Sequence, residues 1–463
     1  MPIELANEEI TKPITQELPL VGLYDRYSTY PSRGLTPEKL SSILIEADQG
    51  DVYRQMELFE EMMEKDPRLL ALFQARRLAV TSRGYKIIPA SDDEEEVNIA
   101  QDVETMLGRI KGWMNVVNDM LDCVPKGFSV NEIFWKPVGD KYTIEKLVHH
   151  HPKKFRFGKI SDLESDPEEL RLVVDPRQVE KFRGFVDPSE LNSATTDGIS
   201  VDKNLNLRSR LVIAYCKARS GNPARASLLR TLAFMYIFKN YDVKWWIQFA
   251  EKQLGYIIGK YDPNQPDQMK LLKTAVQGLA YDASAVISNT STIEFVEFLQ
   301  KAASHEVYSD IKNMADEEYA VSILGHVGTA QGTPGKLGPD DMAKDVKREL
   351  VAADAHVIDE AITDDIVVPY IKFNYGERDK YSYYQTDMSE PLDLNEQIDV
   401  DLKIQQAGYP LTQKYFQETY GRPLPDPNDP EDKVLTPIQP AGTFAMKDGT
   451  IIGDSKKKIL TKR

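Results

Sequence analysis

Residues 219–262 constrain the fold more than any other stretch of the chain. Gly221 permits a sharp turn, Asn222 is a good N-cap and Pro223 suits the first helical position, so the spacing predicts a helix from Asn222 and Pro223 onward. Its apolar residues are Leu228, Leu229, Leu232, Ala233, Phe234, Met235, Tyr236, Ile237 and Phe238, followed by Trp245, Trp246, Ile247 and Phe249. They cover more than one stripe of a helical surface, so this helix must be buried on several sides. Lys239, Asp242 and Lys244 interrupt it too early for a membrane span, which needs roughly 20 apolar residues. Its neighbours are therefore other domains or other subunits.

Before this stretch the chain changes character twice. Residues 1–50 are polar, with Tyr24, Tyr27 and Tyr30 spaced by three, and read as an arm lying along another surface. From Asp51 to Val80 the apolar residues recur at three- and four-residue steps, with a break at Asp66 and Pro67. A strand is expected at 83–89, a second helix after the acids at 92–96, and a third over about 112–124. Residues 128–215 alternate in the manner of strands. Residues 141–230 hold 17 Lys+Arg against 12 Asp+Glu, about +5, so the rest of a chain of net charge −16 carries about −21.

After the central helix, strands are expected at 255–261, 284–288 and 292–297, and helices at 269–279, 304–324 and 340–364. A glycine-rich loop occupies 325–338. Two short helices follow at 397–407 and 412–420, and a tail rich in Pro, Asp and Gly from 423 is expected to be poorly ordered.

Chemistry-bearing motifs are weak throughout. A phosphate-binding loop around Gly335 and Lys336 would need Gly at 330 and a hydroxyl at 337, where the chain has Ala330 and Leu337. His149, His150 and His151 cannot chelate together on a strand, because adjacent side chains point to opposite faces. His305, His326 and His356 have no partner at ligand spacing, and Asp340-Asp341 and Asp364-Asp365 are explained by helix ends. Cys123 and Cys216 lie far apart at no metal-ligand spacing, and two free thiols in a reducing compartment are expected. The first residues lack a basic n-region and an apolar h-region, so no export signal is expected. No catalytic constellation, metal site or cofactor is indicated, and packing explains Trp245-Trp246 better than base stacking does.

The order of features, however, matches a known architecture. It comprises MetGluLysAspProArgLeuLeuAlaLeuPhe at 63–73, GlyPheSerValAsnGluIlePheTrpLys at 127–136, and ArgSerGlyAsnProAlaArgAlaSerLeuLeuArg at 219–230. Trp245-Trp246, GlyLysTyrAsp at 259–262 and GlyHisValGlyThrAlaGlnGly at 325–332 complete it. Together these resemble the portal proteins of tailed bacteriophages, and most closely the Mu-like portal family, over about 15–420. The resemblance implies an α+β portal fold with a wing, two stem helices flanking a β-rich clip, a long helix with a tunnel loop, and a small helical crown. Mapped onto the chain, it implies an arm at 1–50, wing at 51–111 and 245–303, and stem helices at 112–127 and 219–244. The clip would be the basic insert 128–218, the long helix, tunnel loop and following helix 304–366, the crown 367–422 and the tail 423–463.

It further implies a non-enzymatic ring of about twelve copies at one capsid vertex of the virion, assembled in the host cytoplasm and independent of membranes. Double-stranded DNA would enter and leave through its channel. Terminase, the major capsid protein and the head–tail connector would be its partners. In this mapping His326, Thr329, Gln331, Thr333 and Lys336 of the tunnel loop contact DNA. Leu228, Leu232, Met235, Phe238, Trp245 and Trp246 pack subunits together, and Lys153, Lys154, Arg156 and Lys159 of the clip dock a partner. An acidic chain suits a channel past which DNA must slide. Two other readings stay open: a nucleic-acid-processing enzyme, suggested by the basic insert and the tryptophan pair, and a minor head protein that forms no ring.

Overall fold

The computed structural model describes residues 31–159, 166–182, 186, 188–252, 256–260, 269–270, 272–275, 292–296, 301–326, 339–389, 394–408 and 411–421, with Pro13 and Thr15. The expected tunnel-loop residues 327–338, the strand at 284–288 and the tail from 423 lie outside this set. The chain divides into two compact units, Met1–Met388 and Ser389–Arg463. Both helices and sheets build the first, giving the expected α+β class.

In the first unit, α1 (Pro37–Asp48), α2 (Tyr53–Lys65) and α3 (Pro67–Thr81) follow in close succession. Asp66 explains the break: it ends α2, and its carboxylate caps α3 by accepting from the amides of Arg68 at 3.0 Å and Leu69 at 3.4 Å. Pro67 then sits where its missing N–H is harmless. Helix α1 corrects the expectation of a surface arm over 1–50, because Leu40, Ile43 and Ala47 are fully buried in the common core.

Strand β1 (Tyr85–Ile88) leads to α4 (Glu94–Arg109), which opens with three acidic residues at the positive end of its dipole. The helix expected over 112–127 is broken into α5 (Trp113–Met120) and α6 (Cys123–Lys126). Pro125 has no N–H to offer the Leu121 carbonyl four residues back, so Val124 bonds it instead, at 3.1 Å, in a tighter turn.

Strands β2 (Phe128–Val138) and β3 (Lys141–His150) form a hairpin bulged at Phe134/Trp135. The short strands β4 (Phe155–Phe157), β5 (Leu170–Leu172) and β6 (Ile199–Ser200) form a separate antiparallel sheet, with α7 (Pro188–Leu191) between β5 and β6 in the chain. After α8 (Leu205–Arg208), β7 (Leu211–Tyr215) pairs with β2, giving the order β3-β2-β7. The stretch 128–218, expected as a basic insert, is therefore not detached. Its larger sheet belongs to the main core: Trp135 packs edge-on against Phe373 at 5.2 Å, and the Tyr142 amide donates to Asn374 at 2.7 Å.

The central helix α9 (Leu228–Lys252) begins five residues later than an N-cap at Asn222 suggests. Residues 222–227 instead make a local turn in which the Asn222 carboxamide accepts from the Ala224 amide at 2.9 Å. The Ala224 carbonyl is taken by Gln55 of α2 at 2.9 Å, which keeps the first turn from propagating. Strands β8 (Tyr256–Lys260) and β9 (Thr292–Val296) pair antiparallel.

Next come α10 (Lys301–Leu324) and α11 (Pro339–Ile362), which runs through a π-helical segment, Thr363–Val367, into α12 (Val368–Tyr375). Carboxylates and a hydroxyl of α11 and the π segment reach strands packed beside them. Asp359 accepts from the Thr386 amide, Thr363 from the Tyr384 amide at 3.0 Å, and Asp365 from the Ile213 amide at 2.9 Å. Strand β10 (Tyr383–Thr386) closes the unit by pairing with β1. Residues 367–388, expected in a crown, thus belong to the main body.

The second unit contains α13 (Leu394–Gln406) and α14 (Gln413–Tyr420). Buried Asp401 ties them together, accepting from Gln397 and from the hydroxyls of Tyr415 and Tyr420.

Candidate inter-subunit and channel surfaces

Helices α9 and α10 are the two long helices that pack on one another. Leu229, Leu232, Ala233, Tyr236 and Ile237 of α9 enter the core with Ala315, Tyr319, Ala320 and Ile323 of α10. One cation locks the contact. The Lys239 ammonium reaches Asp66 at 2.9 Å and Asp316 at 2.6 Å while lying over the Tyr319 ring, 5.2 Å from its centroid. The expected stem partner at 112–127 is short and broken, so the helix that accompanies 228–252 is 301–324, and the segment they flank is 253–300.

The outward faces of both helices retain apolar side chains. Phe234 and Phe238, one turn apart on α9, are 41% and 56% exposed; Met314 and Val321, two turns apart on α10, are 50% and 45% exposed. Of the residues expected to pack subunits, Phe238 is thus open to a neighbour, whereas Leu232 is buried in its own chain and Leu228 and Met235 lean on the same core. Helix α9 continues unbroken past Trp245 and Trp246, whose side chains lie outside the described residues.

The expected docking cations divide in the same way. Lys153 and Lys154 do not face a partner: both are buried, and the Lys153 ammonium lies 3.5 Å from Glu57 of α2. Arg156 is half-buried and donates to the Thr196 carbonyl, and Lys159 pairs with Asp197, holding that carboxyl below its usual range. The local excess of positive charge answers acids of the surrounding body, as Arg208 answers Asp365 at 2.5 Å and Arg230 answers Asp48 at 2.7 Å.

Sequence reasoning missed two buried charge groups. In the large sheet, Glu132 accepts from Arg210 at 2.8 Å and contacts His150 at 2.9 Å, all three nearly sealed from solvent. Beside it, Lys126 bridges Glu60 and Asp122, Arg77 reaches Asp122 at 2.7 Å, and His149 and His151 approach these acids at 3.8 and 3.6 Å. Burial pushes His149 down to about 4. Burial also works to raise Glu60, yet hydrogen bonding to His151 and the Lys126 charge hold it well below the carboxylate range. The histidine run is thus structural, and no group of three or more His, Cys, Asp or Glu among the described residues is arranged to hold a metal.

Of the expected DNA contacts, His326 follows α10 directly and is half-buried, with both ring nitrogens enclosed. Gly325 before it has φ +76°, and a Cβ there would meet Val346 at 2.6 Å, so the chain leaving α10 requires glycine at this position. Thr329, Gln331, Thr333 and Lys336 lie outside the described residues. No described helix is long and apolar enough to cross a membrane.

The chain matches the family described as the portal protein of Mu bacteriophage over residues 56–422. It is 27% identical over 422 residues to the Mu-like prophage FluMu protein gp29 of Haemophilus influenzae, covering 89% of this chain and 75% of that one. It is 26% identical over 424 residues to the portal protein of Escherichia phage Mu, covering 90% and 75%. Among solved structures, a chain of the virion of a native gene transfer agent particle is similar at a TM-score of 0.48 and 10% identity, covering 83% of this chain and 98% of that one. The match runs from within α2 to just past α14, and this chain belongs to the Mu bacteriophage portal protein family.

Proposed function

We propose that this chain is the subunit of a homo-oligomeric portal ring, of about twelve copies by analogy with the family, at one vertex of a phage capsid. Double-stranded DNA passes through its channel on packaging and ejection. Terminase and the head–tail connector dock on it, and the major capsid protein surrounds it. The role is structural, without catalytic turnover; the ring assembles in the host cytoplasm and ends in the virion.

The observation that carries the ring is the outward face of α9. Phe234 and Phe238 are exposed on a helix whose opposite side fills the core, and rings bury such second faces between neighbours. The packing of α9 on α10 supports reading this pair as the stem and 253–300 as the clip. On that reading the loop between α10 and α11 is the tunnel loop, with Thr329, Gln331, Thr333 and Lys336 the side chains that meet DNA. A net charge of −16 suits a passage that must not hold the duplex.

Electron microscopy of the purified chain in negative stain tests the proposal. Closed rings with a central channel are expected. A monomer at every concentration, measured by mass photometry, would sink it.

A further inference from the structure

Far apart in sequence, Cys123 and Cys216 meet in the fold. Cys123 opens α6 and Cys216 follows β7, and Gly127 links them through the backbone: its amide donates to the Cys123 carbonyl at 2.7 Å, and its carbonyl accepts from the Cys216 amide at 3.0 Å. The pairing of Phe128 with Tyr215 fixes that register. The side chains complete the approach, close enough for each thiol to perturb the other. Cys123 is fully buried and Cys216 half-buried, and both are free thiols.

We propose that these two residues are a redox-modifiable pair that closes into an intramolecular disulfide when a low-molecular-weight disulfide such as oxidised glutathione is present. The two thiols are unequal. Cys216 is lowered by the hydrogen bond from Cys123 and by the charge of Arg76, whereas burial and the same hydrogen bond push Cys123 up. Cys216 is also the more accessible, so it is the attacking group. Its thiolate displaces one glutathione thiolate from the small disulfide and forms a mixed disulfide. Cys123 then gives up its proton, attacks the Cys216 sulfur and displaces the second glutathione thiolate. The two protein thiol protons end on the two glutathione thiols, and two electrons pass from the cysteines to the small disulfide. The product ties α6 to the end of β7 and closes the chain between them, the segment that contains both sheets β3-β2-β7 and β4-β5-β6.

The test uses the full chain, incubated folded with oxidised glutathione, alkylated, and digested without reductant for mass spectrometry. A linked peptide pair containing Cys123 and Cys216, lighter by two hydrogens than the sum of the free peptides, is expected. Cys123→Ser should instead accumulate glutathione on Cys216, and Cys216→Ser should stay unmodified at Cys123. A stable glutathione adduct on Cys216 of the unsubstituted chain, two thiols still open to alkylation after unfolding, or links only between chains would each overturn the proposal.

Discussion

The Arg76 guanidinium grips the Asp354 carboxylate with two bonds, Nε to Oδ2 at 2.6 Å and Nη2 to Oδ1 at 2.8 Å, and donates from Nη1 to the Ile323 carbonyl at 2.8 Å. One side chain of α3 thereby holds the end of α10 and the middle of α11, the two helices on either side of the expected tunnel loop. Both partners are largely withdrawn from water, with side chains 10% and 2% exposed. Breaking such a pair leaves a charge buried without its counterion, which costs about 3–5 kcal/mol. Arg76→Ala should lose about that much in urea unfolding. Arg76→Lys should recover only part of it, because one ammonium cannot reproduce the fork.

Gly127 gives a second prediction. Its φ is +92°, and a Cβ would fall 2.1 Å from the Pro223 carbonyl oxygen, backbone that cannot swing aside as a side chain would. Gly127→Ala should therefore displace the turn leading into α9 and lower the melting temperature sharply. Gly139 is the control. It also has a positive φ, +64°, but nothing lies within 4 Å, so Gly139→Ala should cost only the left-handed strain of about 1–2 kcal/mol. Equal losses in the two variants, compared by calorimetry, would contradict the crowding argument.

What the sequence disclosed, and what it hid, follows the range of the interactions. The break at 66–67 was legible because Asp66 and Pro67 determine it by themselves. The start of α9 was not, because Gln55, 169 positions away, takes the carbonyl that an earlier helix would have used. The packing partner of α9 was hidden for the same reason: Lys239 ties α9 to α10 through Asp316, 77 positions distant. Lys153 and Lys154 looked like a docking surface while the acids of α2 were out of view. Phe238 was recognisable as part of a surplus apolar face because such faces show in helical periodicity, but periodicity does not say which face the core claims, and it claimed Leu232.

The third prediction concerns pH. His149 is buried, and burial pushes it down to about 4 from its usual 6.5. Between these values the unfolded chain holds a proton that the folded chain does not, so stability rises with pH there. The contribution is fully present above about 6.5 and is lost as pH falls toward 4, by about 3 kcal/mol for the whole shift. His149→Met removes the titration along with a ring nitrogen, Nδ1, that has no hydrogen-bond partner. Urea unfolding at pH 7, 6 and 5 should then show the natural chain losing stability relative to the variant at each step. A constant difference would mean that His149 titrates normally.

The last prediction separates the outer face of α9 from the inner one. Phe238 is 56% exposed and Leu232 is 2% exposed, although they lie on the same helix less than two turns apart. In the isolated subunit a charge at 238 meets water, so Phe238→Glu should leave the fold intact, with a change in unfolding free energy within about 0.5 kcal/mol. In a ring the same charge would be desolvated against a neighbour without a partner, so assembly should fail. Leu232→Ala should do the reverse, costing about 2–5 kcal/mol of stability through a cavity in the core. At temperatures where it stays folded, its outer face is unchanged, and it should still assemble. Circular dichroism and mass photometry on both variants read the two effects independently. Rings formed by Phe238→Glu would show that this face is not the contact and would move the interface to another surface of the subunit.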